Sequence, residues 1–170
     1  VPKSSDSYFT DRPIIDAMLE LWPEGPDLDP CFEEGCLVSA KQTYDIRRGE
    51  DGRLLPWAAR NLVNPPWSDI TSFAARCAAS GLAGQECLLV VPVSSDTRWW
   101  HDFVIPHGTI CLLNLRAKFW RPGATKPTPS LSSTCVVHFG PGTDRFIQVF
   151  GRRLGAIVRR VDAAAVASTC

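Results

Sequence analysis

The stretch Asn61-Leu62-Val63-Asn64-Pro65-Pro66-Trp67 joins a short apolar run to an amide, two consecutive prolines and an indole. Proline fixes φ, has no N–H to donate and restricts the residue before it, so Pro65 and Pro66 set one stiff, extended turn. Such a bracket can aim the side-chain carbonyl of Asn64 and the backbone carbonyl of Pro65 at a common point, with Trp67 as an aromatic face beside it. Two acceptors and a flat wall suit a planar amine. An exocyclic amine on a nucleobase is a poor nucleophile because its lone pair is delocalised into the ring. Acceptors for both amine protons favour a more tetrahedral nitrogen and free the lone pair to attack an electrophile. Asparagine is no general base, so its contribution is positional and electrostatic. Stacking on Trp67 adds about 1–3 kcal/mol, the usual range for a base on an aromatic ring.

The elements that must hold this bracket are legible as alternating periodicities. From Thr10 to Trp22, the apolar residues Ile14, Ile15, Met18, Leu19 and Trp22 recur at helical spacing, with Thr10 or Asp11 as N-cap and Pro23 as terminator. "GPDLDPC" supplies a very short strand ending at Asp29-Pro30, and Tyr44 begins a polar connection. Residues 61–63 read as a strand running into the double proline. Ser68 or Asp69 caps a helix through "ITSFAARCAAS" that stops at Gly81. "ECLLVVPV" (86–93) is a continuous apolar strand of the kind buried on both faces of a parallel sheet. A helix through "RWWHDFVI" is broken by Pro106, and 109–115, 134–140 and 145–151 are three further strands. This order predicts an α/β fold with an antiparallel edge. The bracket then falls at the carboxyl end of a sheet strand, where α/β proteins put ligands.

Composition narrows the class. A chain of 170 residues that is 45% hydrophobic can bury one substantial core, so a single domain over 1–170 is expected, with its core at about 5–150 and a tail at 151–170 that is a weak helix or loose. Net charge is zero but uneven. Residues 1–60 carry 12 acids against 7 bases, and residues 61–170 carry 6 acids against 11 bases. Such polarity allows one basic face toward a polyanion. No acid occurs from 103 to 143, and the loop 116–133 carries Arg116, Lys118, Arg121 and Lys126. That loop is either a plain surface loop or a mobile segment that grips phosphate. Seven cysteines without a C-x-x-C pair, and histidines far from Cys31 and Cys36, predict free thiols and no metal site. No apolar run approaches membrane-spanning length, and the start lacks a hydrophobic signal core, so a cytoplasmic protein is expected.

Asn64-Pro65-Pro66-Trp67 matches the [D/N/S]-P-P-[Y/F/W] signature of amino-group methyltransferases that use S-adenosylmethionine. Around it, Tyr8-Phe9-Thr10 with Pro13, Leu28-Asp29, Asp51-Gly52 followed by Trp57, Pro92 with Asp96-Thr97-Arg98-Trp99-Trp100-His101, and Arg116-Ala117-Lys118-Phe119 occur in one order. Over roughly residues 5–140 that order resembles the phage-type DNA N-6-adenine methyltransferase (Dam-like) family, whose members occur in phages and prophages and so act in a bacterial host or phage-infected cell. The resemblance implies a compact Rossmann-like, S-adenosylmethionine-dependent methyltransferase fold with the cofactor over the carboxyl ends of the strands. Only 34 residues separate Asp29 from Asn64, so the N-terminal half must be abbreviated, and the C-terminal strands are antiparallel.

The resemblance also implies roles. Asn64, Pro65, Pro66 and Trp67 are the catalytic set. Phe9, Thr10, Asp29, Pro30, Asp51 and Asn64 are the cofactor set, with Thr10 also able to cap the first helix and Asp29 also able to cap the next turn. Asp29 starts the cofactor loop, yet "DPCFEEGC" keeps a single glycine where the family has several. Asp45 and Asp51 are the candidates for ribose or adenine, Asp51 being favoured, and either can instead be a solvated turn acid. Arg98, Arg116, Lys118, Arg121 and Lys126, with Arg152, Arg153, Arg159 and Arg160 as outer candidates, are the phosphate ligands. Asp96, Arg98 and His101 either line the target pocket or serve the helix around two core tryptophans. The expected activity is direct in-line transfer of a methyl group to a flipped adenine in double-stranded DNA. The alternatives are the amine of cytosine, an adenine in RNA, or a nucleic-acid-binding relative without turnover. Neither recognition sequence nor oligomeric state is encoded in these motifs.

Overall fold

The computed structural model describes residues 9–119, 125–130 and 132–161. In chain order its elements are α1 (Arg12–Leu21), β1 (Leu28–Asp29), β2 (Gln42–Thr43), β3 (Arg60–Val63), α2 (Ile70–Leu82), β4 (Glu86–Pro92), α3 (Ile105–His107), β5 (Thr109–Leu113), β6 (Lys118–Phe119), β7 (Thr128–Pro129), β8 (Thr134–Phe139), α4 (Thr143–Arg153) and β9 (Gly155–Arg159). Seven strands form one sheet in the order β2-β1-β3-β4-β8-β5-β9, and β6 pairs with β7 as a separate hairpin. The first four strands of that order are mutually parallel. β8 enters antiparallel between β4 and β5, and β9 reverses again at the edge. Five of the seven strands therefore share one direction, in a mixed α/β architecture.

Alternation along the strands builds two cores, one on each face. Leu62, Leu88, Val90, Cys111 and Val136 face α1 and α4, meeting Ile14, Met18, Phe146 and Phe150. Val63, Cys87, Leu89, Val91, Cys135 and Val137 face α2, meeting Phe73, Cys77, Trp57 and Trp100. β4 is buried throughout its apolar run because both faces are covered and both edges are paired. Asp11, rather than Thr10, caps α1: its carboxylate accepts a hydrogen bond from the Arg12 N–H at 2.9 Å. Thr10, itself buried, is thereby released for another use.

Four expectations are corrected. Residues 145–151, read as a strand, lie within α4; Phe146, Val149 and Phe150 are buried at helical spacing, and Asp144 in the first turn and Arg152 and Arg153 in the last suit the helix dipole. The tail expected from 151 instead completes α4 and adds β9 to the sheet, while 162–170 fall outside the described residues. The helix over "RWWHDFVI" continues through Pro106 to His107, with a π-helical turn at Trp100–Val104. α2 likewise runs one residue past Gly81. β2 has no counterpart in the sequence reading, since two residues carry no measurable periodicity. Among the described residues no helix is long and apolar enough to cross a membrane.

Candidate ligand site at the strand carboxyl ends

β1, β2 and β3 run parallel with Leu28 opposite both Gln42 and Asn61, so their carboxyl ends reach one edge together. The residues just past those ends are Pro30, Tyr44-Asp45 and Asn64. Here lies a cavity of about 520 Å³, and Phe9, Thr10, Asp29, Pro30, Asp51 and Asn64 all line it. The whole cofactor set is thus gathered from positions 9 to 64. Pro66 lines it as well, while Pro65 is buried behind the turn. Trp67 is not in the wall: its ring meets Phe119 edge-on, with centroids 6.5 Å apart, and it packs half-buried at the border of the α2-side core. The flat surface beside Asn64 expected from the indole is therefore turned toward β6 in this state.

The turn after Asn64 follows from its residues. Pro66 caps a single 3-10 turn, Trp67–Asp69, closed by the Asp69 N–H on the Pro66 carbonyl at 2.9 Å, and α2 begins at the next residue. On the strand side, the Asn61 side chain is fully buried. It accepts from the Ala58 N–H at 3.0 Å and donates to the carbonyls of Ala58 and Glu86, which fixes where β3 starts. Asn61 is structural and Asn64 faces the cavity, three residues and one strand end apart.

Asp29 occupies the floor. One carboxylate oxygen accepts the Cys31 N–H at 2.9 Å, and burial pushes the group up to about 7 despite that bond. The connection from β1 to β2 contains no helix, so the shortened "DPCFEEGC" forms a loop wall and offers no helix N-terminus. Gly35 holds φ at +91°, and the Phe9 ring stands 3.3 Å from where a Cβ would be, so the loop's one glycine lets Phe9 close down on it. Burial pushes the Cys31 and Cys36 thiols up, away from thiolate chemistry.

The mouth is ringed with charge. Six acids, Asp29, Glu33, Asp45, Glu50, Asp51 and Asp69, line the cavity against two bases, Arg47 and Arg53. Asp45, two residues beyond β2, takes a fork from Arg47 at 2.9–3.0 Å, which lowers its pKa. Arg53 holds Asp51 through Nη2 at 2.6 Å and Nε at 2.9 Å, lowering Asp51, and reaches Asp69 through Nη1 at 2.6 Å. Asp51 also accepts the Arg53 N–H at 2.9 Å as a turn acid does, while its carboxylate lines the cavity. Gly52 explains the "EDG" segment: a Cβ there would lie 2.0 Å from the Pro30 carbonyl oxygen, so only glycine lets this loop pack on β1. The Trp57 indole N–H then donates to the Gly52 carbonyl at 2.8 Å.

None of the described phosphate candidates lines the cavity. The Arg98 side chain is 93% exposed and pairs with Asp102 at 3.2 Å, and His101 contacts the Ser95 carbonyl at 2.8 Å, so that helix presents its polar residues to solvent. Arg116 donates to the Ser130 carbonyl at 3.1 Å. Lys118 and Lys126 are exposed on and beside the β6–β7 hairpin, and Arg121 lies outside the described residues. The Lys118 N–H donates to the Asp11 carboxylate at 2.8 Å, which places the hairpin at the start of α1 and, through Phe119, against Trp67. Arg152 and Arg153 are committed to Glu20 on α1. Sequence reasoning missed Arg47, Arg53 and Asp69; Arg53 directly follows Asp51-Gly52, and Asp69 follows the bracket by two residues, which are the signals available.

No protein-family model, no curated protein and no solved structure matches the chain.

Proposed function

We propose that the chain is an S-adenosylmethionine-dependent DNA adenine methyltransferase, built on a compact Rossmann-like fold whose N-terminal half is abbreviated. The observation that carries this reading is that Asn64 and Pro66 of the bracket and the other cofactor candidates, Phe9, Thr10, Asp29, Pro30 and Asp51, line one cavity at the carboxyl ends of parallel strands. The cavity's size suits a ligand of cofactor dimensions. Its chemistry fits as well. S-adenosylmethionine carries a sulfonium and an ammonium, and a lining of six acids against two bases attracts cations. Its carboxylate finds Thr10 at the start of α1, where a helix N-terminus favours anions. Its ribose or adenine would be held by Asp51, with Asp45 past β2 as the other candidate, both of which line the cavity. Phe9, Phe32 and Ile46 give its adenine apolar neighbours.

When bound, the cofactor supplies an electrophilic methyl group on sulfur. The chain's own residues do the rest. The Asn64 side-chain carbonyl, which faces the cavity, would accept a hydrogen bond from the target amine and hold its lone pair toward the methyl donor. Asp29 sets a negative charge near the cationic end of the cofactor. No side chain is needed as base, because the methylated nitrogen sheds its proton to water. An adenine leaves the duplex to reach Asn64, at a cost of a few kcal/mol. The acid ring keeps phosphates outside, so the exposed Lys118 and Lys126 hold the backbone at the rim, and Trp67 turns from Phe119 to stack on the extruded base.

Incubating the protein with unmethylated DNA and tritiated S-adenosylmethionine, followed by nucleoside mass spectrometry, tests the reading. N6-methyladenine is the expected product. Sole formation of 4-methylcytosine, or labelling of RNA in place of DNA, would replace the substrate, and absence of cofactor binding in calorimetry would remove the proposal.

A further inference from the structure

We infer that Arg53 is a positioning residue that braces the Asn64 turn against the cofactor side of the cavity; the inference rests on the methyltransferase reading. One guanidinium joins two loops. Its Nη2 and Nε fork onto Asp51, in the loop that Gly52 seats on Pro30, and its Nη1 reaches Asp69 at 2.6 Å, the last residue of the turn that follows Asn64-Pro65-Pro66. Asp69 is held on its other oxygen by the Ser72 hydroxyl at 3.4 Å. Arg76, on α2, donates to the carbonyls of Arg53 and Leu55 and lies over the Trp57 ring, 5.1 Å from its centroid. The backbone that carries Arg53 is therefore fixed from α2, and its side chain transmits that fixed position across the cavity mouth to Asp69.

Two prolines stiffen the bracket internally, but they do not set its angle to the cavity. That angle depends on the far end of the turn, where the Asp69 N–H bonds back to Pro66 and the Asp69 carboxylate is tied to Arg53. A planar fork with five donors can serve two carboxylates at once in fixed directions; a lysine ammonium supplies the same charge without that geometry. Misplacing a reacting group by about 1 Å costs about a hundredfold in rate. Arg53 thus acts on turnover through Asn64 while touching no reacting atom.

The test uses the full chain and the variants Arg53→Gln, Arg53→Lys, Asp69→Asn and the Arg53→Gln/Asp69→Asn pair. Hydrogen exchange of the amides of residues 67–70 is expected to accelerate about tenfold in each single variant, and kcat to fall at least about tenfold, with the KM for S-adenosylmethionine within about threefold of the parent. The double variant is expected to match the singles, because both remove one link. Unchanged exchange at 67–70, full turnover in Arg53→Lys, or losses that multiply in the double variant would each overturn the brace. Lack of methyl transfer by the parent protein would instead remove the functional reading, with hydrogen exchange still deciding whether Arg53 holds the turn.

Discussion

Along the sheet, the strands that carry the cavity and the strands that do not are built differently. β1 and β2 have two residues each and β3 four, and their loops are held by ion pairs, turns and single hydrogen bonds. β8 has six residues, all buried, between β4 and β5, and α4 adds Phe146, stacked on Phe150 with centroids 4.6 Å apart. Apolar burial is densest around β8 and α4, and the proposed ligand site lies in the thin parallel half. The difference teaches that a small α/β chain can shorten one half of its sheet when polar cross-links hold the loops there.

The comparison breaks most sharply at Asn64. Asn64→Ala should lower methyl transfer by about a hundred- to a thousandfold, the scale for losing a preorganised charge-stabilising group, while calorimetry finds cofactor affinity within a few-fold. Equal activity would remove the central claim. Phe146→Ala in the other half should cost about 3–5 kcal/mol in denaturant unfolding. The folded fraction should keep its turnover; a matching loss of specific activity would erase the division of labour.

Asp29 sharpens the contrast through pH. Its folded pKa, about 7, is above the ordinary carboxylate value, so the protonated form is favoured by folding and the stability this lends is lost as pH rises from about 4 to about 7. Asp29→Asn should therefore melt at a higher temperature than the parent at pH 8 and show little gain at pH 4. Binding of a cation asks for the ionised form, so cofactor affinity should weaken by up to about tenfold per pH unit below about 7 in the parent and stay flat in Asp29→Asn. Parallel profiles in a calorimetric pH series would detach Asp29 from the ligand. The smallest effect belongs to the hairpin. Arg116→Ala or Lys118→Ala should each lower the slope of log affinity for DNA against log salt by about 0.9. A slope that does not move would take the hairpin out of the DNA path.

Much of this was legible because it is written in residue chemistry. Asn64-Pro65-Pro66 announces a rigid acceptor, and its location at a strand end follows from the apolar run before it. Phe9, Asp29 and Asp51 could be nominated only through the ordered motifs, since nothing local links position 9 to position 64. α4 was misread because "RFIQVFG" places apolar residues at both helical and alternating spacing; burial of Phe146, Val149 and Phe150 on one side decides for the helix. The exact neighbours of the bracket were hidden for another reason. Arg53 and Asp69 are 16 residues apart, and a surface-rich stretch of arginines and acids does not say which of them pair.

The bond from the Lys118 N–H to the Asp11 carboxylate spans 107 residues, and α1 is further tied to α4 through Glu20. The wall of the cavity formed by Phe9 and Thr10 is thus adjoined by an element held from segments 107 to 133 residues further along the chain. The sheet itself joins up only when β8 inserts between β4 and β5, two strands that precede it in the chain. Such closure between distant segments slows folding.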